Sequence, residues 1–326
     1  MKKILLAVLS LMLVALVVSC ASTAPAAAQA QEAPIVLTVA GSAQAQEFNT
    51  LKAAFDAVPE GGEGTIVLKA DVEFRTPLAI SNKVITITDN GAPVVIYDKL
   101  SDTENPNFMF TISGTAKLAI IATAQGNITL QGAGKDAAAT KRCMFNVGPQ
   151  DGDKSTAAQL ELTNVIAQGI YTTYTGGVAR GFGTMTFNDC IVRDNAATVN
   201  GTFICMYGTV TINGGSFTNN ENTFSNGGLI QVTNNPTFLY VNGGYFAGNS
   251  GVWGAVINTY AKSTVEINGA TFENNAAVDA EGAAVRSQGT TTIKNSTFTN
   301  NSPYDITVKA GNTTIADDVV AAKIKK

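Results

Sequence analysis

Charged side chains gather at Asp189, Arg193 and Asp194, with Arg180 upstream. Two carboxylates beside two cations on adjacent bends are the chemistry that can hold calcium and an acidic sugar. One repeat later, however, the matched positions are Gly214, Thr218 and Asn219, so no second turn of chain adds ligands. A solvated ion cluster is the plainer reading. The chain has no histidine, which excludes His-dependent acid–base catalysis, Ser-His-Asp triads and His-ligated zinc. Cys143, Cys190 and Cys205 stand at unrelated spacings and read as buried free thiols rather than a disulfide framework. The pairs Gly214-Gly215 and Gly243-Gly244 are bends, since no Gly-Lys-Ser/Thr follows them. No catalytic residue, metal site or cofactor is assigned.

Aromatic side chains give a stronger lead. With Ile204 and Met206 facing inward, alternation turns Cys205 and Tyr207 outward. The repeat then aligns Phe182, Tyr207, Thr233, Tyr260 and Gln288 in one exterior column, beside Arg180, Cys205, Gln231, Asn258 and Arg286. Aromatic faces flanked by amides and guanidinium groups suit sugar rings, which offer C–H faces for stacking and hydroxyls for hydrogen bonding. The longest repeat interval adds Phe238, Tyr240, Tyr245 and the single tryptophan, Trp253. The candidate ligand-binding residues are therefore Arg180, Phe182, Tyr207, Tyr240, Trp253 and Tyr260. The competing reading is that stacked aromatics stabilise parallel strands or tuck under a loop.

These positions are set by a repeat. TINGGSFTNN from Thr211 recurs as YVNGGYFAGN from Tyr240, EINGATFENN from Glu266 and TIKNSTFTNN from Thr292. Phe217, Phe246, Phe272 and Phe298 follow at intervals of 29, 26 and 26, and Asn220, Asn249, Asn275 and Asn301 keep step. MTFNDCIVRDN from Met185 is a weaker copy. A second anchor, GGVA from Gly176, returns as GTFI, GGLI, GAVI and GAAV. Before each Phe lies a period-two run with inward Met185/Phe187, Val210/Ile212, Leu239/Val241, Val265/Ile267 and Thr291/Ile293. Coils of about 25–29 residues suit one turn of a parallel β-helix, with like residues stacked in columns. The fold class is all-β. Asn188, Asn213, Asn242 and Asn268, followed by Lys294, should form one amide column.

GGLI, GAVI and GAAV alternating with FTNN, FAGN, FENN and FTNN resemble the repeats of the chlamydial polymorphic membrane proteins. More broadly the chain resembles the right-handed β-helix, or pectate-lyase-like, superfamily, from about Gly176 to Asn301. The resemblance implies a single-stranded right-handed parallel β-helix. It also implies a possible lyase chemistry, in which Arg or Lys acts as base beside carboxylate-bound calcium. Against that, no Arg-x-Pro-x-x-Arg pattern and no Asp/Glu column is present, and the missing histidine rules out the His-using glycosidases of the fold. The stretch after Asn301 is too short for the C-terminal β-barrel of the polymorphic proteins, so Cys20 would be the surface anchor.

The ends complete the reading. Lys2 and Lys3 precede an apolar run from Ile4 to Val18, shorter than the roughly 20 residues of a spanning helix. The run closes on Val17-Val18-Ser19-Cys20, which resembles a lipobox with Cys20 as the lipid attachment site. Residues 1–20 are thus read as a lipoprotein signal peptide, and 21–34 as a flexible tether of Ala, Gln, Ser and Pro. The β-helix domain follows over 35–326, with an N-terminal cap at 35–63, coils over 64–310 and a C-terminal cap at 311–326. In the first cap, FNTLKAAFDAV predicts a short amphipathic helix with Asn49 as N-cap and Phe48, Leu51, Phe55 and Val58 on its apolar face. Without Lys2 and Lys3 the chain keeps 19 basic against 25 acidic residues, a formal −6, which leaves no electrostatic footprint for nucleic acid. The expectation is a non-enzymatic lipoprotein of the bacterial outer membrane, held by Cys20 at the cell surface and binding a glycan, matrix or envelope partner like an adhesin. The alternative is a polysaccharide lyase or related carbohydrate enzyme.

Overall fold

The computed structural model describes residues 33–100, 108–134, 142–148, 157–224, 227–233, 236–319 and 323–326. The proposed leader, its Cys20 and most of the tether lie outside the described residues.

Four sheets run along the molecule, of 12, 9, 10 and 5 strands among the described residues, here called faces A to D. Nearly every neighbouring pair is parallel and joins one coil to the next, so the chain is a parallel β-helix. The expected inward positions hold. Met185, Phe187, Val210, Ile212, Leu239, Val241, Val265, Ile267, Thr291 and Ile293 on face A are all buried to within 1%. Upstream, where spacing alone gave no register, Ile85/Ile87, Leu118/Ile120 and Leu160/Leu162 extend the same columns.

Phe217, Phe246, Phe272 and Phe298 stack directly over one another on face B, with centroids 4.6, 5.1 and 5.0 Å apart and rings within 14° of parallel. Such spacing follows from the distance between strands. Each ring, at most 2% exposed, contributes on the order of 1.5–3 kcal/mol by leaving water.

Beside it runs an amide ladder. Asn195, Asn220, Asn249 and Asn275 each donate from Nδ2 to Oδ1 of the asparagine one coil on, at 2.9 Å. The same Oδ1 atoms accept the backbone N–H of the asparagine before them, and Nδ2 also reaches a main-chain carbonyl such as Phe217 O or Phe246 O. The groups that a tight bend would strand inside the core are satisfied. The predicted outer column behaves alike: Asn213 Nδ2 donates to Asn188 Oδ1 at 2.8 Å and Asn242 Nδ2 to Asn213 Oδ1 at 3.0 Å.

The bends explain the glycines and the unpaired aspartates. Asn164, Asp189, Gly214, Gly243, Gly269 and Asn295 occupy one corner with φ from 48° to 87°. Gly169, Asp194, Asn219, Gly248, Asn274 and Asn300 occupy the next with φ from 54° to 63°. Left-handed backbone is open to Gly, Asn and Asp and costly for other residues.

At the N-terminal end, Ile35–Val39 pairs antiparallel with Gln46–Phe48 and Glu63–Leu68. The helix Leu51–Ala57 lies against this end, burying Leu51, Ala54 and Phe55, and Phe55 meets Phe110 at 6.1 Å. Its N-cap is Thr50, not the expected Asn49. Thr50 is extended (φ −138°, ψ 147°) and its Oγ1 accepts the Ala53 N–H at 3.2 Å, which is the geometry of a cap. Asn49 lies one residue too early to reach that donor. At the other end, Thr313–Ile315 adds to face A and Ile324–Lys325 to face C.

Candidate functional site

Face C carries the predicted polar column. Strand pairing places Asn146, Arg180, Cys205, Gln231, Asn258 and Arg286 in one line. They point away from the core, as alternation requires, because Ala179, Ile204, Met206, Ile230, Val232 and Ile257 take the inner side. The column is nevertheless covered: none of its six members is more than 6% exposed. The cover comes from the bends that enter face C. A Cβ added to Gly176 would lie 2.9 Å from the Arg180 Cβ, and one on Gly254 equally close to the Arg286 Cβ, so glycine lets the chain pass directly over each arginine. Along the column Asn258 Nδ2 donates to Gln231 Oε1 at 3.2 Å and Arg286 Nη1 to Asn258 Oδ1 at 3.2 Å.

Arg180, Phe182 and Tyr207 come together. Phe182 and Tyr207 stack at 4.8 Å. The Arg180 guanidinium carbon sits 5.7 Å from the Phe108 ring centre and 5.3 Å from that of Tyr174, and those two rings meet edge to face at 5.4 Å. Burial, with the Cys205 thiol beside it, pushes the Tyr207 phenol up to about 12, while Arg180 pulls the other way. Burial likewise raises Cys205 to about 12 and lifts Cys143 further, each again opposed by Arg180. Arg180 is therefore the positive centre of a small aromatic and thiol cluster.

Trp253 and Tyr260 belong to the other end of the column. Trp253 lies over the Arg286 guanidinium at 4.6 Å and donates from Nε1 to Asp279 Oδ2 at 2.5 Å. Tyr260, half-buried, is close enough to raise the Arg286 pKa against the larger effect of burial, which lowers it. Tyr240 is separate: it stands on the outer side of face A with Phe238, while Leu239 between them is fully buried. The six candidates thus fall into three groups rather than one platform.

The charged cluster seen in sequence does not assemble. Asp189 and Asp194 hold left-handed corners on opposite sides of face B, Arg193 donates from Nε to Gln168 Oε1 at 2.8 Å, and Arg180 is on face C. Among the described residues no three His, Cys, Asp or Glu side chains converge as a metal site. Phe108 and Tyr174, which complete the Arg180 cluster, escaped sequence reading because they lie before Gly176, where the repeat is irregular. The pattern Tyr-Thr-Thr-Tyr over 171–174, one residue ahead of the GGVA anchor, was the available signal. Comparison with protein-family models, with curated proteins and with solved structures finds no match to the chain.

Proposed function

We propose that the protein is a non-enzymatic β-helix, tethered through a lipid at Cys20 to the bacterial outer membrane, that binds a glycan on its lateral surface in the manner of an adhesin. The lipobox-like Val17-Val18-Ser19-Cys20 and the repeat resembling those of the polymorphic membrane proteins support the anchoring and the surface role. The observation that carries the binding role is the pair Phe238 and Tyr240. Phe238 is 40% exposed on the outer side of face A, although face C shows how readily this fold covers its outward side chains. Its strand neighbours are Thr209 and Thr264, and those of Tyr240 are Thr211 and Glu266. An aromatic step bordered by hydroxyls and a carboxylate offers both stacking and hydrogen bonds to a sugar. A glycan array probed with the wild type and with a Phe238→Ala/Tyr240→Ala double variant tests this. Selective retention of a glycan by the wild type, lost in the variant, is expected. Equal binding by both, or by neither, overturns the assignment. For the anchor, Cys20→Ala should release the protein from membranes into the soluble fraction.

A further inference from the structure

Three arginines are buried to the same degree, Arg142, Arg180 and Arg286, each 6% exposed. A guanidinium taken out of water without an anion is costly, by several kcal/mol in general. Two of the three meet a carboxylate: Arg142 lies 3.4 Å from Asp98, and Arg286 lies 3.7 Å from Glu281. Arg180 has none among the described residues. Its neighbours are the Phe108 and Tyr174 rings, which attract the charge but cannot accept its in-plane N–H bonds. Its Nε is buried with no hydrogen-bond partner, as are those of Arg142 and Arg286, but only Arg180 has no carboxylate within 4 Å among the described residues to balance its charge. One coil away, directly beside it in the pairing register, Asn146 Oδ1 is buried and unpartnered too. A donor edge with no anion and an acceptor left open side by side, in a protein whose inner asparagine ladder is satisfied coil after coil, mark a place where a bound molecule completes the bonding.

We propose that Arg180 and Asn146 form a binding site for a small carboxylate. The Arg180 Nε and an adjacent Nη present the fork that matches a carboxylate's two oxygens. Asn146 Oδ1 accepts from a hydroxyl or N–H on the same ligand, as in a hydroxy acid. The Phe182–Tyr207 stack alongside offers a face to the ligand's carbon skeleton. Both a free hydroxy acid and the acid group of a uronic sugar have this chemistry. The site is independent of the Phe238–Tyr240 surface, so either assignment can fail without the other.

Isothermal titration of the full-length protein with sodium glucuronate, sodium lactate, glucose and sodium phosphate tests the proposal. Saturable binding of glucuronate or lactate is expected, with glucose and phosphate at least ten-fold weaker. Glucuronate alone identifies the sugar acid, whereas equal binding of both identifies the free hydroxy acid. Arg180→Gln should abolish binding, Arg180→Lys should weaken it at least ten-fold because ammonium lacks the planar fork, and Arg75→Gln, at an exposed arginine paired with Glu73, should leave it unchanged. A readout on the unmutated site guards against misfolded variants: in protein labelled with 15N-arginine, the Arg180 Nε–H resonance should move on adding the ligand and that of Arg286 should not. Absence of carboxylate binding, a stronger response to phosphate, or an Arg180 resonance that stays still at saturation overturns the proposal.

Discussion

Asn220 Nδ2 donates to Asn249 Oδ1 at 2.9 Å, and Asn249 Nδ2 repeats the bond to Asn275 one coil further on. The same Asn249 amide bonds Phe217 O and accepts from the Asn220 N–H. Removing it orphans buried groups on both sides. Asn249→Ala should therefore lower stability by about 3 kcal/mol, since each unsatisfied buried group costs roughly 1–3 kcal/mol. Asn242 sits in the outer amide column and is exposed, so water replaces its bonds and Asn242→Ala should cost about 0.5 kcal/mol, at the low end for a hydrogen bond. Urea unfolding midpoints of the two variants check the contrast, and equal losses would remove the distinction between the ladders.

Phe246 is fully buried between Phe217 and Phe272. Truncation leaves a void that a solenoid cannot close, because the coils above and below are held at strand spacing. Phe246→Ala should cost about 3–5 kcal/mol and Phe246→Leu markedly less. Unfolding followed by circular dichroism reads both, and a loss under about 1 kcal/mol for alanine would mean that the stack repacks.

Residues with a strict period were legible before any coordinates. The inward pairs from Met185 to Ile293, the Phe stack and both asparagine columns all fall where spacing puts them, because one period governs strand, bend and column together. What spacing does not encode is the path of a bend over a face. Arg180 and Cys205 alternate outward as read, yet the bend at Gly176 lies against Arg180 and that at Gly201 against Cys205, and both side chains are buried. Phe108 and Tyr174 were hidden for a different reason. They approach Arg180 from coils of unequal length, so no repeat phase connects them to it.

The thiols set an alkaline limit. Burial raises Cys190 and Cys205 to about 12, lifts Cys143 further, and raises the Tyr207 phenol to about 12. In the unfolded chain the thiols ionise near their ordinary value, about 8.5. The folded state therefore binds more protons above that value, and stability falls as pH rises. This contribution is complete below about pH 8.5 and declines progressively toward pH 12. Melting temperature measured from pH 7 to 11 should drop above pH 9, with a smaller drop in Cys190→Ala. A thiol reagent at pH 8 should label none of these three cysteines in the native protein and all of them in urea.

Glu281 tests how the fold treats a buried cation that does have an anion. It lies 3.7 Å from Arg286 and receives Lys309 Nζ at 2.6 Å, and the Arg286 and Glu281 side chains are 7% and 10% exposed. Glu281→Gln removes the charge without removing the volume, so Arg286 would be left without an anion, held only by Trp253, Tyr260 and the amide oxygens of Asn258 and Gln288. Breaking a buried pair from one side costs about 3 kcal/mol, and that loss is expected here in urea unfolding. Lys309 is 39% exposed, so Lys309→Gln should cost under about 1 kcal/mol and less in high salt. Arg286→Met with Glu281→Gln removes both charges together. Its loss should be smaller than that of Glu281→Gln alone, because the penalty lies in the stranded charge rather than in the missing bond. A double variant no better than the single one would show that Arg286 holds face C by packing against Trp253.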